Sequence, residues 1–204
     1  MMTLNDRQPV IVADAGPLIR LAAAGLLDSM RGLNRRIVLV DRVEAEVTGD
    51  RTKPFAREVA DWIESMGTAI ERVATVTGAG IDALRKADRT PDQDRLLKQA
   101  MRDSGELALR EFVGHWKPTE TSSALVVYED QRVASLFVQS EFPVTLMTTR
   151  KFAEVVSRWG INVDARQALE AIAHLYDLKP SLIAEIDPEV PADLRQLPQP
   201  ETPK

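Results

Sequence analysis

The stretch VIVADAGPLIRLAAAGLLD, residues 10–28, decides the fold class. It opens with a short β-branched apolar run, which predicts a buried strand. Asp14, Gly16 and Pro17 end that run, and Pro17 suits the first turn of a helix because its missing N–H would be unpaired there. Apolar residues at helical spacing then predict one helix over residues 18–30. The stretch therefore indicates a strand, a tight turn and a helix.

The same alternation continues along the chain. Further strands are predicted at residues 36–40, 69–76, 124–128 and 143–149, with helices between them. Residues 78–104 are more polar and predict two helical pieces separated at Thr90-Pro91, with no strand. Alternating helices and near-continuous apolar strands predict an α/β fold: an open, doubly wound parallel sheet of four to five strands, with a helical insert and an extra C-terminal helix.

The expected domain organisation follows from this pattern. The main domain is expected to span residues 9–162, with an irregular helical insert at about 50–102. Residues 163–187 are expected to form a helical extension, its helix beginning after Asp164 and running to residue 178. Residues 188–204 contain five prolines and few large apolar side chains, which predicts a disordered tail.

Composition excludes several kinds of chemistry. The 204 residues contain no cysteine, which excludes disulfides, thiolate zinc sites and cysteine nucleophiles. The two histidines, His115 and His174, are too few for most histidine-based catalysis. The net charge is −5, of which −4 lies in residues 161–204, so the first 160 residues are nearly neutral. With no apolar run near 18 residues and no apolar signal core at the start, a cytoplasmic protein without a membrane span is expected.

Carboxylates dominate the positions where a ligand site is expected. In open α/β sheets, ligands bind beyond the carboxyl ends of the strands. The side chains predicted to lie there are Asp14, Asp41, Glu44, Glu46, Asp103, Glu106, Glu129 and Asp130. Of these, we expect Asp14, Glu46, Glu106 and Asp130 to meet at one site.

Converging carboxylates need a counter-ion. Two unit charges ~4 Å apart repel by about 4 kcal/mol at an effective dielectric constant near 20, which is large against a total stability of roughly 5–15 kcal/mol. A site made only of oxygen ligands selects hard cations, here Mg²⁺ or Mn²⁺. A divalent ion held in this way suits phosphodiester hydrolysis, because it lowers the pKa of the attacking water and stabilises the leaving oxygen.

Each acid also has a purely structural interpretation. Asp14 could cap the helix that begins near Pro17, and Asp103 with Glu106 fits a reciprocal capping box. Glu46 alone would be a solvated charge on a helix, and the Glu129-Asp130 pair an ordinary turn. The joint position of these residues, rather than any one of them, carries the metal hypothesis.

Four segments of the chain resemble the PIN domain family of Mg²⁺-dependent ribonucleases, which includes the VapC-type toxins. The opening segment resembles the family's first motif, with Asp14 as the metal-binding aspartate. VDRVEAEV resembles the second motif, with Glu46 at the acidic position, and DSGELALREF the third, with Glu106. ALVVYEDQRVA resembles the fourth, with Asp130 as the better match and Glu129 beside it.

The resemblance implies a function. It implies an endoribonuclease whose Mg²⁺ or Mn²⁺ is held by Asp14, Glu46, Glu106 and Asp130, with Glu129 as a further candidate. RNA would be the substrate, an antitoxin protein a possible partner, and a homodimer a possible assembly. Arginines expected near the site are candidate phosphate contacts; these are Arg20, Arg110, Arg132 and Arg150.

Two other functions stay open. The long segment between the second and third motifs, and Glu129 in place of an aspartate, fit a degenerate PIN-like module that binds partners without cleaving RNA. A phosphatase of the haloacid-dehalogenase kind is disfavoured, because that chemistry usually needs a second aspartate at position 16, where this chain has glycine.

Overall fold

A computed structural model describes residues 10–88, 90–116, 123–138 and 140–173. The strands of the described chain are β1 Val10–Ala13, β2 Arg36–Val40, β3 Ile70–Val73, β4 Ala124–Tyr128 and β5 Val144–Thr148. The helices are α1 Ala15–Ala23, α2 Asp28–Gly32, α3 Asp41–Thr48, α4 Ala56–Met66, α5 Val76–Lys86, α6 Pro91–Arg102, α7 Ser104–His115, α8 Gln131–Val138, α9 Thr149–Arg158 and α10 Ala165–Ala171, with a short 3-10 helix at Gly67–Ala69.

The sheet has the strand order β3-β2-β1-β4-β5, and every pair is parallel. Ile11 in the central strand lies opposite Ile37 on one side and Leu125 on the other. The chain builds one half of the sheet outward from β1 and then returns to build the other half from β4. The strand order therefore reverses between β1 and β4, which is where such folds place their ligand sites.

Burial along the strands confirms the expected α/β class. Every residue of β1 is buried, as are four of the five residues in both β2 and β4. Strands buried on both faces need helices on both faces, and their sequences are near-continuous apolar runs for that reason. The fold is an open, doubly wound parallel α/β sheet of five strands, with α10 as an additional helix after α9. The expected helical insert at 50–102 is not wholly helical, because β3 within it pairs with β2 as a strand of the sheet.

One helix was expected over residues 18–30, and that expectation is wrong. The chain forms α1 and α2, separated by a break around Gly25. Gly25 has a φ of 67°, a left-handed conformation that glycine adopts without steric cost and that ends a helix. Leu26 and Leu27 are buried, so the break redirects two leucines into the core rather than continuing the helical face.

The interval 50–102 contains α4, β3, α5 and α6. Its two polar helical pieces are α5 and α6, as expected, and they separate at Thr90 and Pro91. Thr90 and Gln93 form a capping box, and Pro91 lies in the first turn of α6. None of the helices in the described chain is long and apolar enough to span a membrane.

The described chain ends shortly after α10. Asp164 precedes that helix, and its side chain makes no capping hydrogen bond. Ala165 and Leu169 are buried in the core, so the helix packs on the domain as far as it is described. The remaining part of the predicted helix to residue 178, the rest of the 163–187 extension, His174 and the Pro-rich segment 188–204 lie outside the described residues.

Candidate functional site

The carboxyl ends of β1 and β4 lie side by side at the point where the strand order reverses. Asp14 follows β1 directly, and its backbone N–H donates to the carbonyl of Val127 in β4 at 3.3 Å. Glu129 and Asp130 follow β4. A Cβ on Gly16 would lie only 3.3 Å from the Glu129 Cβ, so the turn after β1 packs closely against the end of β4.

Asp14 is surrounded by other carboxylates. Its pKa is raised, first by burial and then by repulsion from Asp130, Glu129 and Glu106, while the backbone N–H of Ala15 acts in the opposite direction. Asp14 precedes α1 but makes no side-chain capping hydrogen bond to that helix. The structural interpretation of Asp14 as a helix cap is therefore not supported, and its carboxylate faces other acids.

Glu46 joins this group from α3. Its pKa is raised by burial and by repulsion from Asp14, and lowered by Lys53 and Arg42. We call Asp14, Glu46, Glu106, Glu129 and Asp130 the carboxylate cluster. Asp14 interacts electrostatically with each of the other four.

Glu106 enters the cluster from the first turn of α7. Its Oε2 lies 3.6 Å from Arg132 Nη1, and its Oε1 lies 3.9 Å from Arg110 Nη2. The predicted capping box with Asp103 is wrong, because the Asp103 side chain makes no capping hydrogen bond. Asp103 is the single residue between α6 and α7, and its φ of −102° and ψ of 8° differ from the extended conformation that an N-cap residue usually adopts.

Arginines neutralise the acids that follow β4. Asp130 Oδ2 accepts from Arg132 Nε at 3.0 Å and from Nη2 at 2.8 Å, and Oδ1 accepts from the Arg132 backbone N–H at 2.8 Å. These bonds lower the pKa of Asp130. Glu129 forms an ion pair with Arg20, and both side chains are 21% exposed.

The four arginines expected to contact RNA do not all lie together. Arg20, Arg110 and Arg132 each pair with a member of the carboxylate cluster. Arg150 lies on α9 and pairs with Glu154, at 3.7 Å between Nε and Oε1. The first three arginines are therefore at the rim of the cluster, and Arg150 pairs outside it.

Two acids that also follow β2 have other partners. Asp41 accepts hydrogen bonds from the Thr75 backbone N–H at 2.9 Å and from its hydroxyl at 2.7 Å, which ties the start of α3 to the start of α5. Glu44 accepts from Arg72 Nε at 3.1 Å. Both side chains make structural contacts, which agrees with their omission from the predicted site.

Sequence reasoning missed Arg42 and Ser104. Arg42 is only 5% exposed and its Nε donates to Ser104 Oγ at 3.3 Å. An arginine in the first turn of a helix is indistinguishable from a solvated charge in the sequence. The one available signal is its spacing of four residues from Glu46, which places both side chains on one helical face.

The carboxylate cluster is not a preformed metal cage. Among the described residues, no group of three or more His, Cys, Asp or Glu side chains that could hold a metal ion is found. Mg²⁺ usually binds through one or two carboxylates and keeps several waters, so it does not need such a cage. The donors that the cluster offers are all oxygens, which is the donor type that Mg²⁺ and Mn²⁺ prefer.

Comparison with known proteins identifies no relative: no family model, no curated protein and no solved structure matches the chain. The PIN resemblance therefore rests on the four sequence motifs. Their acidic residues, Asp14, Glu46, Glu106 and Asp130, all belong to the carboxylate cluster, although they are far apart in the sequence. Family membership stays a prediction.

Proposed function

We propose that this protein is a Mg²⁺- or Mn²⁺-dependent endoribonuclease that hydrolyses RNA phosphodiester bonds. The observation that carries the proposal is the environment of Asp14. Its partly buried carboxylate lies at the reversal of strand order, where burial first, and then repulsion from Asp130, Glu129 and Glu106, raises its pKa. A fold does not retain such repulsion for stability, so the cluster is best explained by a cation that it binds.

One or two of the four predicted acids, Asp14, Glu46, Glu106 and Asp130, would bind the ion directly, and the others, with Glu129 beside them, would act through its bound waters. A bound divalent ion would lower the pKa of the attacking water and would offset the negative charge that develops on the phosphate. The carboxylates would hold the ion in place, because Glu46 and Glu106 belong to α3 and α7 while Asp14 and Asp130 follow β1 and β4.

The arginines at the rim suit an RNA substrate. Arg110 and Arg132 are 65% and 67% exposed, so their guanidinium groups can contact solvent and phosphate as well as the acids. A guanidinium forms bidentate hydrogen bonds to phosphate oxygens. This gives phosphate contacts on the same side of the fold as the carboxylates, despite the net charge of −5.

A cleavage assay tests the proposal. Purified protein is incubated with single-stranded RNA, with and without Mn²⁺, and Asp14→Asn is assayed in parallel after its fold is checked by circular dichroism. We expect Mn²⁺-dependent cleavage by the natural sequence and its loss in the variant. Equal Mn²⁺-dependent cleavage by both proteins would contradict the mechanism.

The resemblance to VapC-type toxins suggests the biological role of a toxin in a toxin–antitoxin pair. Expression of the natural sequence should then arrest growth, and Asp14→Asn should relieve the arrest. Co-expression with a cognate antitoxin should also relieve it, and the two proteins should co-purify. Growth that is unaffected by the natural sequence would argue against the toxin role without affecting the nuclease proposal.

A second candidate is a PIN-like binding module that no longer cleaves RNA. The observation in its favour is the arginine pairing: Arg20 and Arg132 already neutralise Glu129 and Asp130. Such a module would bind single-stranded RNA equally well with and without Mn²⁺ and would show no cleavage. Thermal stabilisation by Mn²⁺ separates the two functions, since only the nuclease requires it.

A further inference from the structure

Arg42 is a buried cation that joins three helices. Only 5% of its surface is exposed. Its Nε donates to Ser104 Oγ at 3.3 Å, and its Nη1 lies 3.8 Å from Asp82 Oδ1. Arg42 belongs to α3, Ser104 opens α7 and Asp82 lies on α5. Burying a charge costs free energy unless partners compensate for it, so this arginine needs a physical explanation.

The explanation begins with the face of α3 that carries Arg42. Glu46 lies one turn later on the same face. That face packs against the first turn of α7, where Arg42 contacts Ser104 and Glu46 Oε2 lies 3.1 Å from the position that a Gly105 Cβ would occupy. The next residue is Glu106. The Arg42–Ser104 hydrogen bond and the position of the Glu46 carboxylate beside Gly105 therefore place the face of α3 that carries Glu46 against the backbone that leads to Glu106.

Ser104 makes the contact specific. It is 3% exposed, and its hydroxyl donates to the backbone carbonyl of Met101 at 2.9 Å. A serine hydroxyl has one proton to donate, so after that bond it can only accept. The Arg42 guanidinium, which only donates, is the matching partner. Together they fix the junction between α6 and α7, two residues before Glu106.

We propose that Arg42 is a positioning residue of the carboxylate cluster: it sets the separation of Glu46 and Glu106, and thereby the affinity of the cluster for a divalent cation, without touching the cation or the RNA. This inference rests on the proposed function and adds to it a structural requirement outside the four predicted acids.

The direction of the effect distinguishes positioning from simple electrostatics. If Arg42 acted only as a nearby positive charge, its removal would strengthen the binding of a cation, because the repulsion between the guanidinium and the cation would be lost. If Arg42 positions the two carboxylates, its removal weakens binding, because the acids lose their fixed separation.

Isothermal titration with Mn²⁺ makes this comparison without relying on activity. The proteins are the natural sequence, Arg42→Met, Arg42→Lys and Ser104→Ala. Arg42→Met should weaken Mn²⁺ binding by about 10-fold or more, the usual effect of losing a residue that orients metal ligands. Arg42→Lys should recover part of the loss, because it restores the charge and a donor. Ser104→Ala should also weaken binding, because it removes the acceptor and leaves the charge in place.

Two controls separate this effect from general damage. Arg36→Met removes a positive charge from β2, where Arg36 pairs with Glu71, and should leave Mn²⁺ binding unchanged. Leu169→Ala removes a buried side chain from α10 and should lower the unfolding temperature without changing Mn²⁺ affinity. If Arg42→Met does not fold, Ser104→Ala decides the question.

The outcomes are distinct. Absence of Mn²⁺ binding by the natural sequence would overturn the proposed function. Binding by the natural sequence with equal or tighter binding by Arg42→Met, or by Ser104→Ala where the first variant does not fold, would overturn the positioning role alone. Weaker binding in the Arg42 or Ser104 variants, with both controls unchanged, supports it.

Discussion

The guanidinium of Arg132 donates to a single oxygen of Asp130 through both Nε and Nη2, at 3.0 and 2.8 Å. Its Nη1 lies 3.6 Å from Glu106 Oε2. One arginine therefore links the end of β4 to the start of α7. Since 67% of its side chain is exposed, this pairing contributes little to folding. Its main consequence is to place a positive charge where a metal ion is proposed to bind.

Replacing Arg132 by glutamine should affect metal and RNA in opposite directions. The loss of a positive charge beside Asp130 and Glu106 should tighten Mn²⁺ binding several-fold. The loss of a phosphate contact should weaken binding of single-stranded RNA, by about 3- to 10-fold. Isothermal titration and fluorescence anisotropy measure the two affinities.

The matched control is Arg150→Gln, since Arg150 pairs with Glu154 outside the cluster. It should leave Mn²⁺ affinity unchanged. Weaker Mn²⁺ binding in Arg132→Gln would contradict this interpretation, because it would mean that Arg132 supports the site rather than competes with the ion.

Replacing Gly105 by alanine should reduce metal binding without loss of stability. The new Cβ would lie 3.1 Å from Glu46 Oε2, so the Glu46 carboxylate must move. An alanine in place of a helical glycine stabilises a helix by roughly 0.5–1 kcal/mol, which offsets the close contact. A displaced ligand lowers activity by about 10- to 100-fold. Chemical denaturation and RNA cleavage are measured together.

Gly114→Ala is the control in the same helix, because a Cβ there meets no atom within 4 Å. It should leave the Mn²⁺-dependent activity unchanged. If both alanine variants retain full activity, the exact position of Glu46 does not matter and its proposed role as a ligand fails.

The stability of the metal-free protein should depend on pH in a direction set by Asp14. A carboxyl with a raised pKa binds its proton more tightly when folded, so the free energy of unfolding decreases as the pH rises through that pKa. Asp14 contributes this decrease at pH values above 3.8, which is the ordinary pKa of its side chain. Asp14→Asn should therefore become more stable relative to the natural sequence as the pH rises toward neutrality, as measured by urea denaturation at a series of pH values.

Asp130 should change the free energy of unfolding with pH in the opposite direction. Arg132 lowers the pKa of Asp130, so the ionised Asp130 carboxylate stabilises the folded state at pH values above 3.8. This stabilisation is lost as the pH falls through the folded-state pKa. Asp130→Asn should lose stability relative to the natural sequence as the pH rises from acid. Parallel pH profiles for the two variants would contradict the opposite environments that the structure gives these aspartates.

The sequence predicts strands better than it predicts helix ends. β2 and β4 were predicted at residues 36–40 and 124–128, because each is a buried apolar run with clear flanking breaks. The helix over residues 18–30 was wrong, since a single left-handed residue, Gly25, ends α1 inside a continuous apolar pattern. The capping box of Thr90 and Gln93 is visible in the sequence as Thr-x-x-Gln, whereas the expected box at Asp103 did not form.

Within the site, the strand-end rule placed the acids but not the residues that hold them. Asp14 directly follows β1 and Asp130 is the second residue after β4, so the pairing of these parallel strands brings them together. Arg42, by contrast, becomes interpretable only when α3, α5 and α7 are packed, because burial of a charge depends on contacts between distant segments. The same holds for Gly105, whose importance arises from Glu46 in another helix.

Direct Mn²⁺ binding to the natural sequence and to Asp14→Asn tests the central claim that these carboxylates form a divalent-cation site. Isothermal titration near neutral pH should show saturable binding to the natural protein, with a rise in its unfolding temperature, and a loss of about 10-fold or more in affinity for the variant. Equal affinity in both proteins, or no binding by the natural sequence, would contradict the claim.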